Sequence, residues 1–375
     1  MTANPPCAPL AGLSRPLAIA MWDFSWLERR WPGAGYEDWD QALDELAERG
    51  YDAVRIDAYP HLLASDEGKD WDLEVLWTVQ DWGSPAPTRV RVWPALPEFI
   101  RACAARGIRV ALSSWFRQDA ANTRMHLKTA ADMARIWICT LELLRDEGLS
   151  DGLLYVDLCN EWPGAYWAPA FVNDPPELMW DGWHTARSLA YMRESIALVR
   201  AAFPKVPLTY SFNPEPRYAS KNDFGFLDFF EPHIWMVKAH GNAFYEQVGY
   251  GFELLDPKGY RNIQRNAERV YRKQAAHWNA GLVGLINDYA EVSRVHARPL
   301  ITTECWGIVD YKDWPLLDWG WVKELCELGT LTASATGCWA AIATSNFCGP
   351  QFRGMWRDVA WHRRLTEVIK SGRLP

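Results

Sequence analysis

No two of the chain's eight cysteines are spaced CxxC, which removes the usual signature of a zinc ribbon or a dithiol redox centre. No stretch approaches the roughly 20 apolar residues that a membrane-spanning helix needs. The start, MTANPPCAPLAGLSRPLAIAM, lacks a basic segment followed by a continuous apolar core, so no secretory leader is expected. A GxGxxG turn after the first apolar run is missing, as is a GxSxG elbow, which argues against a dinucleotide fold and against a serine hydrolase. His, Cys and Asp nowhere cluster at metal-ligand spacing, so neither a metal nor a cofactor is expected. Positive charge is not in excess either. The formal charge is -8, whereas a nucleic-acid partner requires a basic footprint. Nucleic acid and membrane are therefore not expected partners, and a neutral ligand suits the chain better. The cysteines, scattered through apolar segments, read as buried thiols and make the cytoplasm the default location.

What is present is ample apolar material. Of 375 residues, 49% are hydrophobic and 23% charged, enough for a large core in one domain spanning 1–375, with an irregular extension at 1–16. Short apolar runs read as strands at 17–24, 53–59, 108–115, 153–158, 208–212, 229–235, 300–304 and 336–344. Helical periodicity falls between them, at 36–50, 96–106, 129–147, 185–203, 260–295, 319–329 and 358–371, with the 260–295 stretch breaking near Gly281 and Gly284. This alternation predicts an α/β fold, a (β/α)₈ TIM barrel. A doubly wound open sheet is the alternative. Two connections are long, 60–94 and 163–183. The pieces LWTVQ and RVRVW in the first suggest a small hairpin, and residues 238–259 read as an irregular excursion.

Two of the strands end in a carboxylate. GLLYVDLCNEW at 152–162 delivers Asn160 and Glu161, and RPLITTECW at 298–306 delivers Glu304. A barrel gathers its chemistry at the C-terminal ends of its strands. There the two glutamates read as general acid/base (Glu161) and nucleophile (Glu304) of a retaining glycosidase, whose carboxyls stand about 5 to 5.5 Å apart. Arg55 and Asp57 share one face of the second strand. Arg55 is placed to be the cation that keeps a nucleophile ionised, and Asp57 is either a hydroxyl-binding carboxylate or the ion-pair partner of Arg55. The 23 tryptophans fit a sugar ligand, since a flat indole face can stack on sugar C–H groups.

The stretches GYDAVRI (50–56), YVDLCNEW (155–162), PHIW (232–235) and ITTECWG (301–307), in that order, resemble glycoside hydrolase clan A, and most closely the cellulase-like barrels of family 5. The resemblance implies a carbohydrate substrate and a site in which Arg55 orients the nucleophile and Asn160 contacts the sugar 2-hydroxyl. It also implies that His233 after strand six and Trp339 after strand eight line the pocket. Trp162 stands where that family commonly has Pro, and Trp235 keeps an aromatic two residues after His233; both join the expected substrate-binding set. The family's usual His after strand three is replaced by SSWF at 113–116. Asp23 or Trp22, ending strand one, and Asn346 and Gln351, after strand eight, are further candidates. A carbohydrate-binding barrel without catalysis and a transglycosylase with the same covalent intermediate are the competing functions. The sequence leaves the oligomeric state open.

Overall fold

The computed structural model describes residues 10, 12–76, 83–164, 182–213, 216–219, 221–251, 257–309, 311, 313 and 317–374. Among the described residues, eight parallel strands form a ring: β1 (Leu17–Asp23), β2 (Ala53–Asp57), β3 (Arg109–Ser113), β4 (Leu153–Asp157), β5 (Leu208–Thr209 and Ser211–Phe212), β6 (Glu231–Pro232 and Ile234–Trp235), β7 (Leu300–Thr302 and Cys305–Trp306) and β8 (Trp339–Ile342). The register runs Ile19 to Ala53, Arg55 to Ala111, Leu112 to Val156, Val156 to Leu208 and Ser211 to Glu231, then Ile234 to Cys305 and Ile301 to Ala341. Leu17 opposite Ala341 closes it. Every residue of β1, β2 and β4 is buried, as expected of parallel strands covered on both faces. The expected barrel is therefore the fold.

Around the ring run α1 (Trp39–Glu48), α2 (Val92–Ala104), α3 (Ala130–Asp146), α4 (Ala186–Ala202), α5 (Pro257–Lys273), α6 (Ala275–His296), α7 (Gly320–Thr336) and α8 (Val359–Lys370). Four of them, α1, α3, α4 and α8, start on a capping side chain. Asp38, Thr185 and Asp358 each accept a first-turn N–H, and Thr129 forms a reciprocal capping box with Asp132.

Three expectations change. The helical stretch after β6 breaks at Gln274 (φ -136°, ψ 34°), not at Gly281 and Gly284, which lie inside α6. Gly281 is there for a close approach, since a Cβ would come within 2.6 Å of His240 Nε2 and 2.7 Å of Ala239 Cβ. The supposedly irregular stretch after β6 contains extended residues Ala239–Asn242 and a helix, Ala243–Val248. The hairpin exists, but Thr88–Val90 pairs with Trp71–Leu73 rather than with LWTVQ, most of which lies outside the described residues, as does most of 163–183. Rim loops after β1, β2 and β3 are joined by a buried ion pair. Arg117 donates to both oxygens of Glu28 at 2.8 and 2.9 Å, and the Tyr59 hydroxyl adds a third bond.

Candidate active site

At the C-terminal ends of the first four strands the chain turns through left-handed residues: Asp23 (φ 40°), Tyr59 (φ 49°), Phe116 (φ 47°) and Glu161 (φ 45°). None is glycine. A side chain held there costs on the order of 1–3 kcal/mol, a cost that concentrates at functional sites. In return the turn aims Glu161 into the mouth, where its backbone N–H is fixed by Ser211 Oγ at 3.0 Å.

Arg55 is the centre of the site. Fully buried, it donates through Nε and Nη2 to the two oxygens of Asp23, both at 3.0 Å. Nη2 also reaches Asn160 Oδ1 at 2.9 Å and Glu304 Oε1 at 2.8 Å, and Nη1 reaches Glu231 Oε1 at 3.2 Å. Burial opposes a charge here, yet Asp23 and Glu304 hold the guanidinium firmly protonated. Because arginine can only donate, its contact with Asn160 fixes the amide: Oδ1 faces Arg55. The Nδ2 group is buried and has no partner among the described residues, a donor left for a ligand.

The same rule fixes His233. Its Nε2 stands 3.4 Å from Arg55 Nη1 and so carries a lone pair, which leaves the hydrogen on Nδ1. That Nδ1–H donates to Glu161 Oε1 at 2.9 Å and lies 3.5 Å from Glu304 Oε1. Burial pulls the imidazole down to about 4, so it is neutral. Both glutamates are raised by burial, with Arg55 opposing this at Glu304 and Lys238 and Arg55 opposing it at Glu161. Only Glu304 touches the guanidinium, so the pair's negative charge belongs on Glu304 and its proton on Glu161. Ligand atoms of Glu161, His233 and Glu304 lie within 4.8 Å of one another, a spacing that could hold a metal. Arg55, 2.8 Å from Glu304, already supplies the cation, and a second positive charge beside it would be repelled.

Other expected site residues lie elsewhere. Asp57 pairs with neither Arg55 nor the pocket. Its oxygens accept the backbone N–H of Tyr59 at 2.7 Å and of Trp115 at 2.8 Å, and burial lifts its carboxyl to about 7; it braces two rim turns. Trp162 follows the left-handed Glu161 and so points away from it. Its Nε1 donates to Ser188 of α4 and its ring stacks on Tyr191 at 4.6 Å. Trp339 opens β8 opposite Leu300, the first residue of β7, at the base of the barrel, and packs edge-on against Trp306. Trp235 does lie at the site, edge-on to His233 at 5.7 Å. Trp339→Phe is thus expected to lower stability by about 1–3 kcal/mol, as large-to-small core changes do, with KM unchanged. A raised KM would restore Trp339 to the pocket.

The residues around Arg55 that sequence reasoning passed over are Asp157, Glu231 and Trp115. Trp115, from the SSWF segment, donates Nε1 to Asp23 Oδ2 at 2.7 Å and so seats the partner of Arg55. A period-two signal existed: Tyr155 with Asp157, and Glu231 with His233, alternate on one face of otherwise apolar strands.

A family of sugar-binding cellulase-like proteins matches residues 19–370. The chain belongs to that family. Among solved structures, a protein from Parabacteroides distasonis proposed to be a glycoside hydrolase is 53% identical, with 96% of this chain and 95% of that one covered and a TM-score of 0.94. Two further structures share the fold alone. XEG5B, a family 5 xyloglucan-specific β-1,4-glucanase from a ruminal metagenomic library, is 13% identical over 95% of both chains (TM-score 0.51). The β-glycosidase BGL167 is 11% identical over 96% and 98% (TM-score 0.53). No curated protein matches the chain.

Proposed function

We propose that the cellulase-like chain is a retaining glycoside hydrolase that cleaves a β-linked glycoside or short oligosaccharide by double displacement. The observation that carries this reading is the carboxyl pair itself. One oxygen of Glu161 and one of Glu304 lie within 4.8 Å of each other, which brings the two carboxyls together as the pair of a retaining enzyme, about 5–5.5 Å apart, requires. The relative from Parabacteroides distasonis, 53% identical and proposed to be a glycoside hydrolase, supports it.

In the first step Glu304, ionised beside Arg55, attacks the anomeric carbon while Glu161 gives its proton to the departing oxygen. Water then enters, Glu161 takes its proton, and the glycosyl–Glu304 ester is broken. His233 contributes orientation. Its Nδ1–H holds Glu161, and its lone pair faces Arg55. Nδ2 of Asn160, without a partner among the described residues, is the donor offered to a sugar hydroxyl.

Following the first-formed anomer by NMR during hydrolysis of aryl β-glycosides tests the stereochemistry: the β-anomer is expected, and an α-product would rule out double displacement. The acid/base role has its own signature. Glu161→Ala is expected to slow poor leaving groups about 10²- to 10⁴-fold and activated aryl glycosides far less, with azide giving a β-glycosyl azide. Equal losses for both substrate types would remove Glu161 from that role.

A further inference from the structure

Beneath the two glutamates lies a carboxyl that this chemistry does not use. Glu231, at the start of β6, is fully buried. Its Oε1 accepts from Arg55 Nη1 at 3.2 Å, the Tyr155 hydroxyl at 3.1 Å and Thr303 Oγ1 at 2.7 Å. Its Oε2 is buried and has no hydrogen-bond partner among the described residues. The charged and titratable groups facing it are Arg55 from β2 and Tyr155 and Asp157 from β4. Across Arg55 stand Asp23, His233 and Glu304.

Asp23, Asp157, Glu231 and Glu304 all come within 3.9 Å of the one guanidinium, while His233, accepting at Nε2, adds no charge. Four buried negative charges against one positive are far costlier than three and a retained proton. Hydrogen-bond partners decide where that proton resides. Asp157 is satisfied at both oxygens, by Ser211 N and Cys159 N on one and by the Ser113 and Ser211 hydroxyls on the other. Asp23 is likewise satisfied, by Arg55 at both oxygens and Trp115 at one. Of these three carboxyls beneath the mouth, only Glu231 keeps an oxygen that can take a hydrogen without displacing a donor.

We infer that Glu231 is a positioning residue that keeps its proton in the working enzyme, seating Arg55 through Oε1 while leaving the guanidinium charge to Asp23 and Glu304. Burial, which lifts this carboxyl to about 7, acts in the same direction. The inference rests on the glycosidase reading for its catalytic consequence, but not for its protonation.

Two variants test it. In Glu231→Gln the amide oxygen replaces Oε1 and the NH₂ stands where the acid O–H does. The variant is expected to keep kcat/KM near pH 6 within about threefold of the parent, with the acidic limb of the pH profile unmoved. Its Tm is expected to match the parent's near pH 5.5 and exceed it near pH 8. The sign follows from linkage: a carboxyl raised in the folded state binds more protons folded than unfolded, so its contribution to stability falls as pH rises towards 7, and the amide lacks that loss. Glu231→Leu, which removes the seat of Arg55, is expected to lose about 10- to 100-fold in kcat/KM and to move the acidic limb upward. An ionised structural Glu231 predicts the reverse: Glu231→Gln would be less stable at both pH values, and its acidic limb would fall as Arg55 passed wholly to Glu304. That result would overturn the inference. The Tm comparison needs no turnover, so it stays readable even if Glu304→Ala shows the glycosidase assignment to be wrong.

Discussion

Glu304→Ala is expected to lower kcat/KM by roughly 10⁵- to 10⁶-fold, the loss seen when a nucleophile is deleted from a covalent mechanism, with a Tm near pH 7.5 that is unchanged or higher. The two outcomes share one cause. Glu304 is buried to 6% exposure, burial and the neighbouring Glu161 raise its carboxyl, and holding it ionised in that setting gives little net stability. Removing it leaves Arg55 with Asp23, Asn160 and Glu231, so no cation is stranded. Azide gives a second readout. Entering on the face vacated by Glu304, it should yield an α-glycosyl azide, the opposite anomer from that expected of Glu161→Ala, since one substitution removes the nucleophile and the other only the acid/base. Retained activity, or the same azide anomer from both variants, would sink the assignment of roles.

How far the site was legible in the sequence follows from what a linear pattern can hold. Strand ends are local, so runs that stop at Asn160–Glu161 and at Glu304 announce both carboxylates, and Arg55 inside AVRID is a charge with no local reason to be in an apolar strand. Which partners meet across the barrel is not local. Asp57 is nearer in sequence to Arg55 than Asp23 is, yet Arg55 bonds Asp23, because Asp57 is taken by the Tyr59 and Trp115 N–H groups of the turns above it. Trp339 lies away from the mouth for a boundary reason. The apolar run 336–344 contains β8, but the strand begins at Trp339, so the residue taken as its end is its first. Trp162 lies elsewhere for a conformational one, since the left-handed Glu161 sends consecutive side chains to opposite sides of the wall. Gly281 looks like a helix breaker in sequence and is a packing glycine in space.

Arg55→Met is expected to destabilise the protein more than any other single change at the site, by about 3–5 kcal/mol, the usual result of stripping one partner from a buried ionic cluster. Arg55 has no exposed surface, and its loss leaves Asp23, Glu231 and Glu304 without their shared cation. The deficit should depend on pH. Without the guanidinium these carboxyls rise further above the values they have in the unfolded chain, so the folded state binds more protons, and stability falls as pH increases from about 5 towards 8. The difference in Tm from the parent should therefore be small near pH 5 and large near pH 8. Among molecules that remain folded, the acidic limb of kcat/KM should move to higher pH, because the contact of 2.8 Å that keeps Glu304 ionised is gone. A purely catalytic arginine predicts the moved limb without the pH-dependent loss of Tm, and a purely structural one predicts the Tm loss with the limb unmoved. A fork that holds Asp23 and Glu304 with the same Nη2 cannot separate the two roles, and observing either effect alone would contradict this geometry.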